Sequence, residues 1–333
     1  MNAHGGWTVV AVLALASAVF VWARHLVLPA RPADAPTPRA RQLAGASRAS
    51  SDGAGVRIVV NPTAGPAWSG AATDELRSML PAADVVELED GDDLCELLRD
   101  PSLTMVGAAG GDGTLAAAAG VAAERGVPLI AVPGGTLNHL ARDLGIGSAE
   151  EAVAGVRSGG VACIDLGAVG DRTFVNTLSF GGYSVVVDTR ERFEARLGRW
   201  PALLLALLRE LPRMKPCRLE LDGTRVDVWL AWIGNGAYDP PGLAPAWRES
   251  LDDGLLDVRL VHGGRLARTR FLLAAMLGRA AMSGVYTERL ATSLQLRSLD
   301  GPLRLVADGE PFDGGDELVV GKRPRALEVF VPA

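Results

Sequence analysis

Among the carboxylates that sit beside glycines, four could do chemistry: Asp112 in Gly110-Gly-Asp-Gly-Thr114, Asp253 in Asp253-Gly-Leu255, and the pair in Asp308-Gly-Glu310. Glycine lets the backbone take positive φ and lets a ligand approach the main chain closely. An acid planted in such a turn suits a metal ion or a hydroxyl group held next to phosphate. Asp308 and Glu310 alternate, so an extended segment puts both side chains on one face. Two close carboxylates raise one another's pKa, which suits a proton acceptor. The same residues also make plain helix caps and Asp-Gly hairpin turns, so the surrounding elements have to decide.

Around Asp112 the pattern is an apolar strand, a glycine turn, and a helix that starts at Thr114 and runs through an alanine stretch to about Arg125. A helix start directs free N–H groups and a positive dipole end at the turn, which is an anion site. From residue 56 the chain alternates: strands at 56–60, at 84–88, from 105 up to the glycine turn and at 128–132, and helices at 73–80, 92–99 and 114–125. Such alternation predicts a parallel sheet covered on both faces. Ligands bind such sheets at loops beyond the carboxyl ends of the strands. Three glycine-bearing loops fall there, at 61–65, 110–114 and 133–138.

After Asp165 the period changes. Short strands are expected at 161–166, 172–180, 217–221, 225–233, 255–261, 293–296, 303–306 and 317–320, with helical stretches at 190–211 and 266–282. Many short strands joined by Asp-Gly turns suggest an antiparallel sandwich. The expected fold is therefore α/β in two domains. A parallel nucleotide-binding domain spans 56–164, and a β-rich substrate domain spans 165–333 with a cleft between them. The extreme C-terminus is a candidate to pack back on the first domain.

The N-terminus reads differently. Residues 5–23 carry no charge and have Trp7 and Trp22 near their ends. That is close to the ~20 residues of a membrane helix with interfacial aromatics. Residues 1–28 are expected to be a membrane anchor and 29–55 a flexible, Pro- and Arg-rich linker. The arginines follow the apolar run, which puts the body of a single-pass protein in the cytoplasm by the positive-inside rule. A cleaved signal is the rival reading, but a basic start is missing.

Composition narrows the chemistry. A net charge of −6 argues against nucleic acid as a partner. Three widely spaced cysteines give neither a disulfide framework nor zinc spacing. Only two lysines occur, Lys215 and Lys322. No P-loop motif is present. Gly111 to Ala116 fits a dinucleotide-binding G-x-G-x-x-A, but the next strand ends in Pro133-Gly-Gly without the acid that motif needs.

The loops taken together resemble the diacylglycerol kinase and sphingosine kinase catalytic family. The resemblance rests on Asn61-Pro62-Thr63-Ala64-Gly65, Gly110-Gly111-Asp112-Gly113-Thr114 and Pro133-Gly-Gly-Thr136-Leu-Asn138 followed by Ala141-Arg142. It continues through Phe174-Val-Asn176, Gly234-Asn-Gly236, Asp253-Gly-Leu255 and Asp308-Gly-Glu310, and covers the chain from about Val56 onward. The central loop alone is shared with NAD kinases and phosphofructokinases; the ordered set is more specific. The resemblance implies ATP held by Asn61 to Gly65, Gly110 to Leu115, Thr136 and Asn138, with a lipid hydroxyl as acceptor. It implies Mg²⁺ near Asp112, and Glu310 as proton acceptor with Asp308 orienting it or binding metal. It also implies a structural Mg²⁺ held by Asp253 with the carbonyls of Ser250 and Leu255. His139 stands where many relatives carry aspartate, which leaves the role of that position in doubt.

The two helical stretches at 190–211 and 266–282 have basic ends and apolar centres. They suit a membrane surface or an ordinary core. A homodimer stays open. Two other functions compete with a lipid kinase: a soluble-metabolite kinase of the NAD kinase type, and a non-catalytic nucleotide- or lipid-binding relic. The third loop and the Asp-Gly-Glu turn favour lipid over NAD, and the retained carboxylates disfavour a relic.

Overall fold

A computed structural model describes residues 41–44, 49–64, 70–135, 138–182, 193, 202, 205–206, 209, 215–242, 245, 247–264 and 284–332. The first strands are β1 (Arg41–Ala44), β2 (Val56–Val60), β3 (Asp84–Glu87), β4 (Met105–Gly110) and β5 (Leu129–Pro133). The helices are α1 (Gly70–Met79), α2 (Leu94–Leu98), α3 (Asp112–Arg125), α4 (His139–Asp143) and α5 (Ala149–Ser158). β3, β2, β4 and β5 lie side by side and parallel. β4 is buried along its whole length, and β2 and β5 nearly so. Continuous apolar runs of this kind are what a sheet covered on both faces requires. The register matters most: Ala109 pairs with Val60 on one side and Val132 on the other. The carboxyl ends of three strands therefore stop level, and their loops start as neighbours.

Local signals set the helix limits. Asp93 caps α2 by accepting from the amides of Cys95 and Glu96. Ser148 caps α5 by accepting from the amide of Glu151. α3 ends at Gly126, whose φ of 65° is the left-handed stop that glycine favours.

The remaining strands are β6 (Gly160–Val169), β7 (Arg172–Phe174), β8 (Thr177–Gly181), β9 (Cys217–Leu221), β10 (Thr224–Asn235), β11 (Tyr238–Asp239), β12 (Trp247–Arg248), β13 (Leu256–His262), β14 (Tyr286–Ala291), β15 (Leu294–Ser298), β16 (Arg304–Ala307), β17 (Glu310–Asp313) and β18 (Glu317–Phe330). Their pairings with one another are antiparallel. They enclose a second apolar cluster built around Phe174, Phe180, Val228 and Leu305.

The fold is α/β, but the two parts are not separate sheets. β18 pairs antiparallel with β15 and β6, and at Val329↔Leu129 it pairs parallel with β5. One hydrogen-bonded network thus runs through both parts. Val320 packs in the second cluster, while Leu327, Val329 and Phe330 pack in the first. The register shifts between Arg323 and Leu327, and Arg325 takes a φ of 49° there.

Two expectations need correction. The preceding transmembrane helix is not supported, because no described helix is long and apolar enough to cross a membrane. The longest, α3, has 14 residues; at 1.5 Å per residue that is about 21 Å, against a hydrocarbon core of about 30 Å. The stretch that carried the expectation, residues 1–28, lies outside the described residues. The single-pass membrane placement rested on that helix and falls with it. The basic-apolar stretch at 266–282 also lies outside the described residues. Of 190–211 only five helical positions are described, two of them, Ala202 and Ala206, buried.

Candidate active site

The glycine loop between β4 and α3 is built for close approach. α3 begins at Asp112, with Gly111 as a cap that offers no side-chain hydrogen bond. The first helical amides are therefore left for a ligand. Leu115 differs from this: its amide bonds to the Gly111 carbonyl at 3.0 Å, and its side chain is fully buried in the core.

The neighbouring loops are locked onto this one. Asn61 Nδ2 donates to Thr114 Oγ1 at 3.1 Å, and Asn61 Oδ1 accepts from the Thr63 amide at 3.0 Å. One asparagine thus shapes the first loop and ties it to the start of α3. Pro62 and Thr63 are exposed and Ala64 is half-buried at the loop's outer side. The amide of Gly134 donates to the Gly110 carbonyl at 2.9 Å. A methyl carbon placed on Gly135 would stand 2.6 Å from Gly111 Cα, so only glycine fits that contact. Asn138 holds the third loop closed on itself: its Oδ1 accepts from the Gly135 amide at 2.8 Å and its Nδ2 donates to the Gly135 carbonyl at 2.9 Å. Gly65 and Thr136 lie outside the described residues.

Asp112 is half-buried and joins the second loop to the third. Its Oδ1 accepts the His139 amide at 2.6 Å. No described residue engages its Oδ2, which leaves an oxygen of the kind a hard cation takes. The His139 imidazole is held below its usual pKa range by burial, against the upward pull of Asp112 and Asp143. Burial thus favours the uncharged ring beside the cradle.

The β16–β17 hairpin brings a carboxylate from far along the chain. Asp308 and Gly309 form its turn, both at positive φ (48° and 95°). That is the two-residue geometry that Asp-Gly favours. The turn also sets the two acids apart, so the alternation expected of an extended segment does not hold. Asp308 Oδ2 accepts from the Val175 amide at 2.6 Å; its Oδ1 accepts from Asn176 at 2.8 Å and Thr177 at 2.9 Å. Burial pushes its pKa up while these three amides and Arg248 pull it down. Asp308 is thus committed to holding the 175–177 segment. Glu310 is exposed, and its Oε1 would stand 3.9 Å from a methyl carbon placed on Gly113. The structure therefore brings Glu310 to the glycine loop, with Asp308 as the anchor of its hairpin.

A buried polar hub, not singled out from sequence, lies behind these groups. The Arg248 side chain is 1% exposed; its Nε donates to Asp143 Oδ2 at 2.7 Å, linking β12 to the end of α4. Its other nitrogens donate to the carbonyls of Val175 (2.8 Å) and Asn235 (3.0 Å) and to Asn176 Oδ1 (3.2 Å). Its guanidinium also lies over the Tyr238 ring. No local pattern marks Arg248 among the many arginines of the chain.

Of the residues expected to hold a structural Mg²⁺, the Ser250 carbonyl and Asp253 Oδ2 stand 3.3 and 3.5 Å from a methyl carbon placed on Gly236. Asp253 Oδ1 accepts from the Leu255 amide and its Oδ2 from the Ala237 amide, at 2.8 and 2.9 Å. The Leu255 carbonyl accepts from Gly236 at 2.9 Å. The Lys322 ammonium lies 3.8 Å from Asp253 Oδ1. Among the described residues no group of three or more His, Cys, Asp or Glu is placed to hold a metal.

Comparison with known proteins gives the family. Residues 55–169 match the diacylglycerol kinase catalytic domain. The "Probable lipid kinase YegS-like" of Pseudomonas savastanoi pv. phaseolicola is 32% identical over 235 residues, 68% of this chain and 75% of the relative. The diacylglycerol kinase of Mycobacterium tuberculosis is 33% identical over 211 residues, 57% of this chain and 66% of the relative. A crystal structure of a diacylglycerol kinase from Bacillus anthracis str. Sterne superposes with a TM-score of 0.57 at 18% identity, covering 83% of this chain and 96% of that one. A second structure from the same organism gives 0.62 at 20% identity. These structures share the two-part α/β kinase fold. The chain belongs to the diacylglycerol kinase catalytic family. It is a lipid kinase of the diacylglycerol kinase type, and a kinase of this family implies ATP as donor.

Proposed function

We propose that the chain transfers the γ-phosphoryl group of ATP to the hydroxyl of diacylglycerol, a sphingoid base or a related lipid. The observation that carries this reading is the approach of Glu310 to Gly113, which sets an exposed carboxylate beside an uncapped helix start. The amides at the start of α3 receive the nucleotide phosphates, and the glycines at 110–113 and 134–135 let the loops pack closely around them. Asn61, through Thr114, and Asn138, through Gly135, hold the flanking loops in place. Glu310 accepts the proton of the lipid hydroxyl as its oxygen bonds to the γ-phosphorus and the bond to the β-phosphate oxygen breaks, releasing ADP. Asp112, through the Oδ2 that no described residue engages, is the residue that would hold catalytic Mg²⁺. When bound, that ion would neutralise charge on the phosphates and the leaving group.

The test is transfer from γ-labelled ATP to an extracted lipid mixture in the presence of Mg²⁺. Label in a lipid that disappears with Glu310→Gln supports the reading. Label in NAD alone assigns a soluble-metabolite kinase, and no label in any acceptor assigns a binding protein.

A further inference from the structure

Asp112 and Glu310 come from opposite halves of the chain, yet one run of hydrogen bonds joins Asp112 to the turn that carries Glu310. The run starts at Asp112 Oδ1, which accepts the amide of His139, the first residue of α4. Asp143, the last residue of that helix, is buried, and its Oδ2 accepts from Arg248 Nε at 2.7 Å. Arg248 Nη1 donates to the Val175 carbonyl at 2.8 Å, and Nη2 donates to Asn176 Oδ1 at 3.2 Å. The amides of these same two residues donate to Asp308. Residues 175 and 176 are thus gripped on one side by the guanidinium and on the other by the carboxylate that opens the Glu310 turn.

A guanidinium suits this place because its donors form a rigid planar fork. Nε fixes the end of α4 while the two Nη atoms fix residues 175 and 176, so one flat group sets the angle between them. A lysine ammonium would keep the charge and lose that angle. The Tyr238 hydroxyl donates to the Asn176 carbonyl at 3.3 Å, with the Tyr238 ring centre 5.2 Å from the guanidinium carbon. The hairpin follows this segment closely. Among the described residues, β16 and β17 join the rest of the sheet through β8 alone, and β8 begins directly after Asn176. The nucleotide loops are tied differently. Their bonds run from Asn61 to Thr114, from Gly134 to Gly110 and from Asn138 to Gly135, and none passes through Arg248.

We propose that Arg248 is a positioning residue for phosphoryl transfer: through residues 175 and 176 and Asp308 it sets where Glu310 stands relative to the nucleotide loops. The proposal rests on Glu310 as the proton acceptor. The test compares Arg248→Lys in the wild-type and Glu310→Gln backgrounds. Single-turnover transfer from γ-labelled ATP to an extracted lipid mixture is followed with enzyme in excess, well below the melting temperature of every variant. A misplacement of about 1 Å can cost about 10²-fold. Arg248→Lys should slow transfer by about that factor, with the ATP concentration for half-maximal rate little changed. In the Glu310→Gln background no carboxylate remains to be placed, and the same substitution should slow transfer by about twofold or less. A purely structural Arg248 predicts the same loss in both backgrounds. That result, or an Arg248→Lys protein as fast as the wild type, would overturn the proposal. Asn176→Ala removes only the Nη2 acceptor; it should slow transfer by less, and again only while Glu310 is present. It decides alone if Arg248→Lys does not fold. Glu310→Gln protein as fast as the wild type would instead remove the proton acceptor, and this proposal with it. Equal losses in both backgrounds leave Glu310 in its role and remove only that of Arg248.

Discussion

Glu310 and Asp308 are two residues apart and do different work, because one leaves the turn and the other closes it. Glu310 is exposed and makes no structural bond among the described residues, so Glu310→Gln should leave stability within about 0.5 kcal/mol of wild type. It should lower kcat by about 10²–10⁴, the usual contribution of a positioned proton acceptor. A steady-state assay beside a thermal melt checks both halves of that expectation. Asp308→Ala should show the reverse order of effects. It strands the amides of Val175, Asn176 and Thr177, at a cost of about 1.5–3 kcal/mol. Urea unfolding should detect that loss, and activity should fall only as the hairpin loosens. The sequence showed both acids and their Asp-Gly turn. It did not show which would face the cleft, because a left-handed turn at Asp308 breaks the alternation that an extended segment would keep.

At the scale of elements, the parallel strands and their loops were legible because β2, β4 and β5 are nearly uninterrupted apolar runs, each stopped by glycine, proline or asparagine. Other boundaries were not. The stretch expected as one strand at 172–180 is divided into β7 and β8, since the amides between them turn to Asp308. The strand expected at 317–320 continues to Phe330, through Gly321-Lys-Arg-Pro-Arg325, a polar run with a proline that reads as a loop. The bulge between Arg323 and Leu327 is what allows it to remain a strand. Loop contact predicts function here. Gly135→Ala forces a methyl carbon to 2.6 Å from Gly111 Cα, so the second and third loops must part. The expected outcome is a raised KM for ATP at near-wild-type secondary structure, read by kinetics and circular dichroism. The Arg248–Asp143 pair joins α4 to β12, and its removal from one side leaves a buried charge. Arg248→Met should cost about 3–5 kcal/mol, and adding Asp143→Leu should return a large part of it in a double-mutant cycle.

At the scale of the whole molecule, β18 decides how the two cores are coupled. It carries Val320 in one apolar cluster and Leu327, Val329 and Phe330 in the other, with Lys322 between them against Asp165 and Asp253. A strand shared in this way means that neither core is complete until the end of the chain has docked. β5 gains its second neighbour from β18, and β6 gains most of its pairing from the same strand. The two parts should therefore unfold as one unit despite their different strand patterns. Phe330 is fully buried, so Phe330→Ala should cost about 3–5 kcal/mol through lost transfer energy and a cavity. Because the residue lies in the first cluster, a protein with independent halves would lose stability only there and would melt in two steps. A shared strand predicts instead a single calorimetric transition that moves down as a whole. Intrinsic fluorescence of Trp229 and Trp232 on β10, far from the mutated side chain in sequence, should report the same lowered midpoint.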